Sequence, residues 1–242
     1  MFETAAITEI WRYPVASLGG ERLEVASISH LGIEGDRTHV LLDLETGEVA
    51  APESSARWHP AMFLRAEQGD ATTVSGPGFG RLEVGPDLDA ALADHFGFRC
   101  GVRAVGTRIC SGGRDLGHAG LRYEVAPLHL ITTGDMAGLK AHLPDVEVGV
   151  ERFRPNLVID TGEVSDNWVG LEWSLNSIAG QVTDRTKRCG MTIIAQPALG
   201  SNPEILRTLV RNRQRCMGVY ANVSAAGMAS VNCKIRFGSS TR

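Results

Sequence analysis

The segment Thr186-Lys187-Arg188-Cys189-Gly190 sets a cysteine directly after two cations. Neighbouring positive charge stabilises a thiolate, and the thiolate is both the nucleophile and the soft-metal ligand of cysteine chemistry. The glycine that follows has no side chain to keep a bulky ligand off the backbone. On these residues alone, a half-buried cysteine beside a solvated lysine and arginine is the commoner arrangement. A second segment, Arg152-Phe153-Arg154-Pro155-Asn156, opens the apolar run Leu157-Val158-Ile159. Arg154 can hold an oxyanion with paired N–H donors, Pro155 stiffens the approach, and Asn156 brings both a donor and an acceptor. That set suits a phosphate, and it equally suits a charged rim where a strand begins. Gly32-Ile33-Glu34-Gly35-Asp36-Arg37 is a glycine-spaced turn delivering an Asp-Arg pair, and Tyr13-Pro14-Val15-Ala16-Ser17 puts a hydroxyl at a strand end. Each either meets an anion or closes a turn. There is no G-x-G-x-x-G fingerprint, P-loop or G-x-S-x-G elbow.

The cysteines (Cys100, Cys110, Cys189, Cys216, Cys233) are odd in number and lack a C-x-x-C pair. This argues against a disulfide framework, a zinc ribbon and a resident iron–sulfur cluster, and favours a reducing cytoplasm. Cys216 is expected to pack inward while Arg211, Arg213 and Arg215 form a solvated face; Cys100, Cys110 and Cys233 read as core fillers. The histidines show no H-x-x-x-H or H-x-H spacing, so no zinc site is expected.

The elements that must position these residues are mostly short strands. Strand-like runs cover 5–12, 23–29, 39–44, 62–66, 71–74, 81–84 and 102–105, and later 128–132, 157–159, 175–179, 218–223 and 231–237. Helices are expected over 87–97, where Leu88, Leu92 and Phe96 recur at four-residue spacing, over 134–143, and over 203–212, with Asn202 as N-cap. The glycine-rich stretch 111–120 is the best linker candidate. It divides the chain into an N-terminal β subdomain, 1–117, and a second domain, 118–242. With 242 residues, 43% hydrophobic and 21% charged, the chain is an ordinary globular protein, mainly β (α+β) with few helices. A net charge of −4 gives no general attraction to nucleic acid or anionic lipid, so any anion site must be local. No signal peptide is visible at Met1-Phe2-Glu3-Thr4, and the uncharged run from Cys216 to Cys233 is broken by Asn222, Ser224, Ser230 and Asn232, so no membrane span is expected.

In order along the chain, Tyr13–Ser17, Gly35-Asp36-Arg37, Pro127-Leu128-His129-Leu130-Ile131-Thr132-Thr133, Phe153-Arg154-Pro155-Asn156, Arg188-Cys189 with Thr192, and Gly218-Val219-Tyr220-Ala221 resemble the MOSC superfamily. The similarity is to the branch with an N-terminal MOSC-associated β domain, as in the mitochondrial amidoxime-reducing component and its bacterial relatives. The resemblance implies a MOSC β-barrel after the smaller β-rich subdomain, with a pterin-dithiolene molybdenum cofactor (molybdopterin) between the two. It implies Cys189 as the molybdenum ligand, and Arg37, Arg154 and Asn156, with Ser17 and Arg188, as contacts to phosphate and pterin. The sequence departs from the pattern at Ala16, where lysine is frequent, and at Lys187, where serine is usual; Lys187 is expected to supply the missing charge. The tail's usual Val-Gly-Asp turn is Val231-Asn232-Cys233, which implies an altered last strand pair. The implied activity is reduction of small N-hydroxylated compounds (amidoximes, hydroxylamines) with electrons from an external reductase, ferredoxin or cytochrome. The alternatives are a sulfur carrier, or sulfurtransferase, with a Cys189 persulfide, and a protein that binds and delivers the cofactor.

Overall fold

A computed structural model describes residues 3–124 and 126–238 of the chain. Met1 and Phe2, part of the segment read for a signal peptide, lie outside the described residues. The elements that build the site are, in chain order, β1 (Glu3–Arg12), β2 (Val15–Ala16), β3 (His39–Asp43), α1 (Pro86–Phe96), β4 (Cys100–Ala104), β5 (Leu128–Thr132), α2 (Thr133–His142), β6 (Leu157–Asp160), β7 (Glu172–Leu175), β8 (Ile178–Lys187), α3 (Pro203–Arg213), β9 (Cys216–Ala221) and β10 (Lys234–Gly238).

β6, β5, β9, β8, β7, β10 and β1 follow one another in a sheet that β1 closes onto β6, making a seven-stranded barrel. Ile10 stands opposite Leu157 across the seam. β5 and β6 are parallel, with Leu130 opposite Leu157. A parallel pair needs a crossover, and α2 supplies part of it; its capping box joins the Thr132 hydroxyl and the Asp135 carboxylate to each other's backbone N–H groups. Alternate residues of the staves fill the interior: Ile7, Ile10, Leu128, Leu130, Ile159, Val219 and Ile235 are buried together. Trp168 stacks on Phe237 with ring centroids 4.0 Å apart. Outside the barrel, Leu139 of α2 and Ile205 and Leu209 of α3 cover Ile131, Phe153 and Met217. Burying each such side chain contributes about 1.5–3 kcal/mol.

The second core is N-terminal. β4, β3 and β2 form a sheet, and α1 lays Leu88 and Leu92 against Leu41, Trp58 and Val102. α1 begins at Pro86 and stops at Gly97, whose φ of 76° is the left-handed conformation a helix C-terminus needs. Mainly β architecture with few helices is therefore what the chain adopts.

Three local expectations change. β1 lies within residues 1–117 yet is a stave of the barrel, and Val25–Ser29 pairs with Gly227–Ser230, so the chain's first residues cross into the second unit. The expected linker is a hairpin, Arg108–Ser111 against Arg114–His118, because Gly112 and Gly113 at φ 55° and 76° form its tight turn. Cys110, on that hairpin, is exposed rather than a core filler. Among the described residues no helix is long and apolar enough to cross a membrane.

Candidate functional site

β2, the turn after Ile33, the start of β6 and the end of β8 converge on one cleft of ≈ 220 Å³. Ser17, Arg37, Arg154, Arg188 and Cys189 line it, with His129 and Tyr220 from the barrel wall, Phe153 from the short 3-10 turn before β6, and Glu53 and Tyr123. Backbone conformation does much of the placing. Ser17, Arg37 and Arg154 all have positive φ (70°, 52° and 52°), an uncommon conformation for residues with side chains. Each therefore sits at a sharp reversal that turns its side chain out of the preceding strand or turn.

Cys189 is exposed and caps the short 3-10 turn Gly190–Ile193. The Thr192 hydroxyl donates to its carbonyl at 2.9 Å, which fixes the turn. A Cβ at position 190 would stand 3.2 Å from the Glu53 carbonyl, so glycine allows the close approach of the two units beside the thiol.

The arginines differ in how they are compensated. Arg37 pairs with Asp36, and its Nη2 donates to the Arg154 carbonyl at 3.5 Å. Arg154 donates to the Leu18 carbonyl, and Arg188 to the Phe153 carbonyl at 2.6 Å. Among the described residues neither Arg154 nor Arg188 has a carboxylate within ion-pair distance. Burial lowers the pKa of both, Arg154 to about 10, and the charge on Arg37 pushes in the same direction. The Arg188 Nε is buried without a hydrogen-bond partner. Buried cations with unused donors are costly unless an anion meets them.

His129 stands behind the arginines, its ring nitrogens 3.3 Å from the carbonyls of Arg154 and Met217. Burial holds it well below the ordinary imidazole pKa, and Arg188 adds to that, so it is neutral at pH 7 and donates to one carbonyl only. At the mouth, Glu53 Oε1 accepts from Arg122 at 2.5 Å and from the Tyr123 hydroxyl at 3.0 Å.

Two residues expected at the site are placed elsewhere. Asn156 is fully buried and spent on structure: it accepts from the His129 N–H at 3.1 Å and donates to the Trp11 carbonyl and Asp36. It thereby holds the Asp36-Arg37 turn on the barrel. Lys187 is exposed and does not line the cleft, because Thr186 takes the buried phase of β8. It is therefore not placed to replace a lysine at Ala16, which does line the cleft. Sequence reasoning missed Tyr13, Glu53, Arg122 and Tyr123. Tyr13 stood in a quoted motif, whereas the others carry no local signal.

An accessible thiol beside two arginines without carboxylate partners is chemistry that suits an anionic ligand with a soft centre. The described residues contain no group of three or more His, Cys, Asp or Glu able to hold a metal ion, so a metal at Cys189 must bring other donors with it. A phosphate-bearing dithiolene fits that donor set and the arginines around it. The sequence matches the MOSC domain over residues 111–239 and the MOSC N-terminal beta barrel domain over residues 4–91; the chain belongs to the MOSC family. Among solved structures it is similar to the YUAD protein from Bacillus subtilis, at 11% identity and a TM-score of 0.56 over 100% of this chain and 99% of that one. YiiM from Escherichia coli is 10% identical with a TM-score of 0.43, over 99% of this chain and 71% of that one. At such identities the likeness concerns the fold alone. No curated protein matches the sequence.

Proposed function

We propose that the chain is a molybdenum-cofactor-dependent oxidoreductase that reduces small N-hydroxylated compounds. The observation that carries this is the meeting, in one cleft, of an exposed thiol, Cys189, with Arg154 and Arg188, which have no carboxylate partner. Cys189 would hold the metal through sulfur, and Arg37, Arg154, Arg188 and Ser17 would hold the phosphate and pterin. When bound, the cofactor supplies two-electron removal of oxygen from an N–O bond. The chain's own residues do the rest. Arg154 and Arg188 hold fixed positive charge in a desolvated setting, where it acts on a developing anion without reorganising. His129, neutral and buried with Nδ1 3.3 Å from the Arg154 carbonyl, packs against that arginine's backbone. Glu53, Arg122 and Tyr123, bonded to one another, complete the lining of the cleft.

Electrons would come from a separate reductase, ferredoxin or cytochrome-type protein. All the described cysteines are unpaired, which supports a reducing, cytoplasmic setting. The test is turnover of an amidoxime by protein made in a cofactor-competent host, with an artificial electron donor, beside Cys189→Ser. Reduction lost in the variant is expected. Bound pterin without turnover would identify a delivery protein. Metal-free protein carrying a persulfide on Cys189 would identify a sulfur carrier.

A further inference from the structure

We propose that Tyr13 is the positioning residue of the anion site: its ring holds the Arg37 and Arg154 guanidinium groups where they receive the ligand. This rests on the anion-binding reading above. The Arg154 guanidinium carbon lies 4.3 Å from the Tyr13 ring centroid and that of Arg37 5.4 Å from it. Both are inside the ~6 Å reach of a cation–π contact, which strengthens when water is excluded. The two arginines repel each other, and between them they have one carboxylate, Asp36. Beside Asp36 and the carbonyls of Leu18 and Arg154, the negative face of the ring is what compensates both of them at once.

The ring is itself fixed. It stacks on Trp11, with centroids 6.1 Å apart and planes 11° from parallel. Gly20 lies against its edge, where a Cβ would stand 2.5 Å from Cδ1. The Tyr13 N–H donates to Asp36 at 2.7 Å and its carbonyl accepts from the Arg37 N–H at 2.8 Å, so one residue ties the turn to the strand end and sets both guanidinium groups. The hydroxyl is buried and makes no hydrogen bond. No protein group holds the ring through its hydroxyl. Here the work falls to the ring face, and phenylalanine should do it equally well.

The experiment titrates inorganic pyrophosphate into the cofactor-free full chain by calorimetry. Wild type, Tyr13→Phe and Tyr13→Leu are compared with Arg154→Met as the site control. Tyr13→Phe should bind within about twofold of wild type, and Tyr13→Leu about tenfold or more weakly, the scale of a desolvated cation–π contact. Should Tyr13→Leu fail to fold, phenylalanines carrying successive ring fluorines at position 13 keep the shape while draining the quadrupole. Affinity should then fall with each fluorine. Wild-type affinity in Tyr13→Leu, a loss in Tyr13→Phe equal to that in Tyr13→Leu, or a flat fluorine series would overturn the role of Tyr13. Wild-type protein that binds no pyrophosphate, or binds it equally after Arg154→Met, would instead overturn the anion-site reading.

Discussion

Arg154→Met separates the cost of holding a charge ready from the gain of using it. Burial brings the Arg154 pKa down from the ordinary guanidinium range to about 10. At about 1.4 kcal/mol per pKa unit, that is a penalty of about 3 kcal/mol borne by the folded, unliganded protein. The sign is that of a base whose folded pKa is depressed. At pH 7 the group is charged in both states and the whole penalty is present; it is relieved only as pH rises above about 10, where the unfolded chain still binds the proton. Methionine removes this penalty. It also removes the hydrogen bond to the Leu18 carbonyl, about 1.5–3 kcal/mol for a charged donor, and the contact with Tyr13, about 1 kcal/mol. The terms offset, so the unliganded variant should melt within ~4 °C of wild type. Pyrophosphate at a hundred times its dissociation constant should raise the wild-type midpoint by ~5–10 °C, from about 2.7 kcal/mol of linkage, and leave the variant unmoved. Thermal unfolding with and without pyrophosphate reads both quantities. An equal shift in the variant, or a fall of more than ~10 °C in its unliganded midpoint, would refute the view that Arg154 is a cation waiting for an anion.

Asn156→Ala should destabilise the fold by about 2–4 kcal/mol in denaturant unfolding, because it strips partners from the buried His129 N–H and the Trp11 carbonyl. Wild-type stability in that variant would contradict its structural role. Lys187→Ala should retain cofactor as well as Lys140→Ala does, since both side chains are exposed and neither lines the cleft; selective loss in Lys187→Ala would place that charge at the site after all. His129 is held neutral, so the unfolded chain takes up a proton below its ordinary pKa near 6.5 while the folded protein does not. Stability should therefore fall as pH drops below about 6.5, and His129→Gln should show a shallower acid slope between pH 6.5 and 5; an unchanged slope would show that the imidazole is free to charge.

What could be read along the chain was what local rules control. α1 and α3 were visible in four-residue spacing, in Asn202, whose side chain accepts from the Glu204 N–H, and in Gly97 at the end of α1. The cleft residues Ser17, Arg37, Arg154, Arg188 and Cys189 stood in short motifs whose residue types already pointed to an anion and a thiol. What failed depends on distant pairing. Nothing in Glu3–Arg12 says that its partners are β6 and β10, from the other half of the chain. In β8 polar residues occupy both phases from Thr183 to Lys187, so the outward phase of Lys187 beside the buried Thr186 was hidden. Arg213, expected on a solvated face, instead reaches Asp135 and Asp166 at 2.7 Å each, because α3 folds back onto the barrel beside α2. Tyr13 was read for the hydroxyl of its neighbour Ser17, since a ring shared by two arginines far along the chain leaves no trace in local spacing.

Cys189 and the arginines beside it are proposed to hold a molybdenum cofactor. The most direct test is molybdenum by elemental analysis, with pterin fluorescence after oxidation, on wild-type protein and Cys189→Ala made in a cofactor-competent host. Near-stoichiometric molybdenum and pterin in the wild type, with molybdenum falling sharply in the variant, is the predicted result. Metal-free and pterin-free protein in both would contradict it.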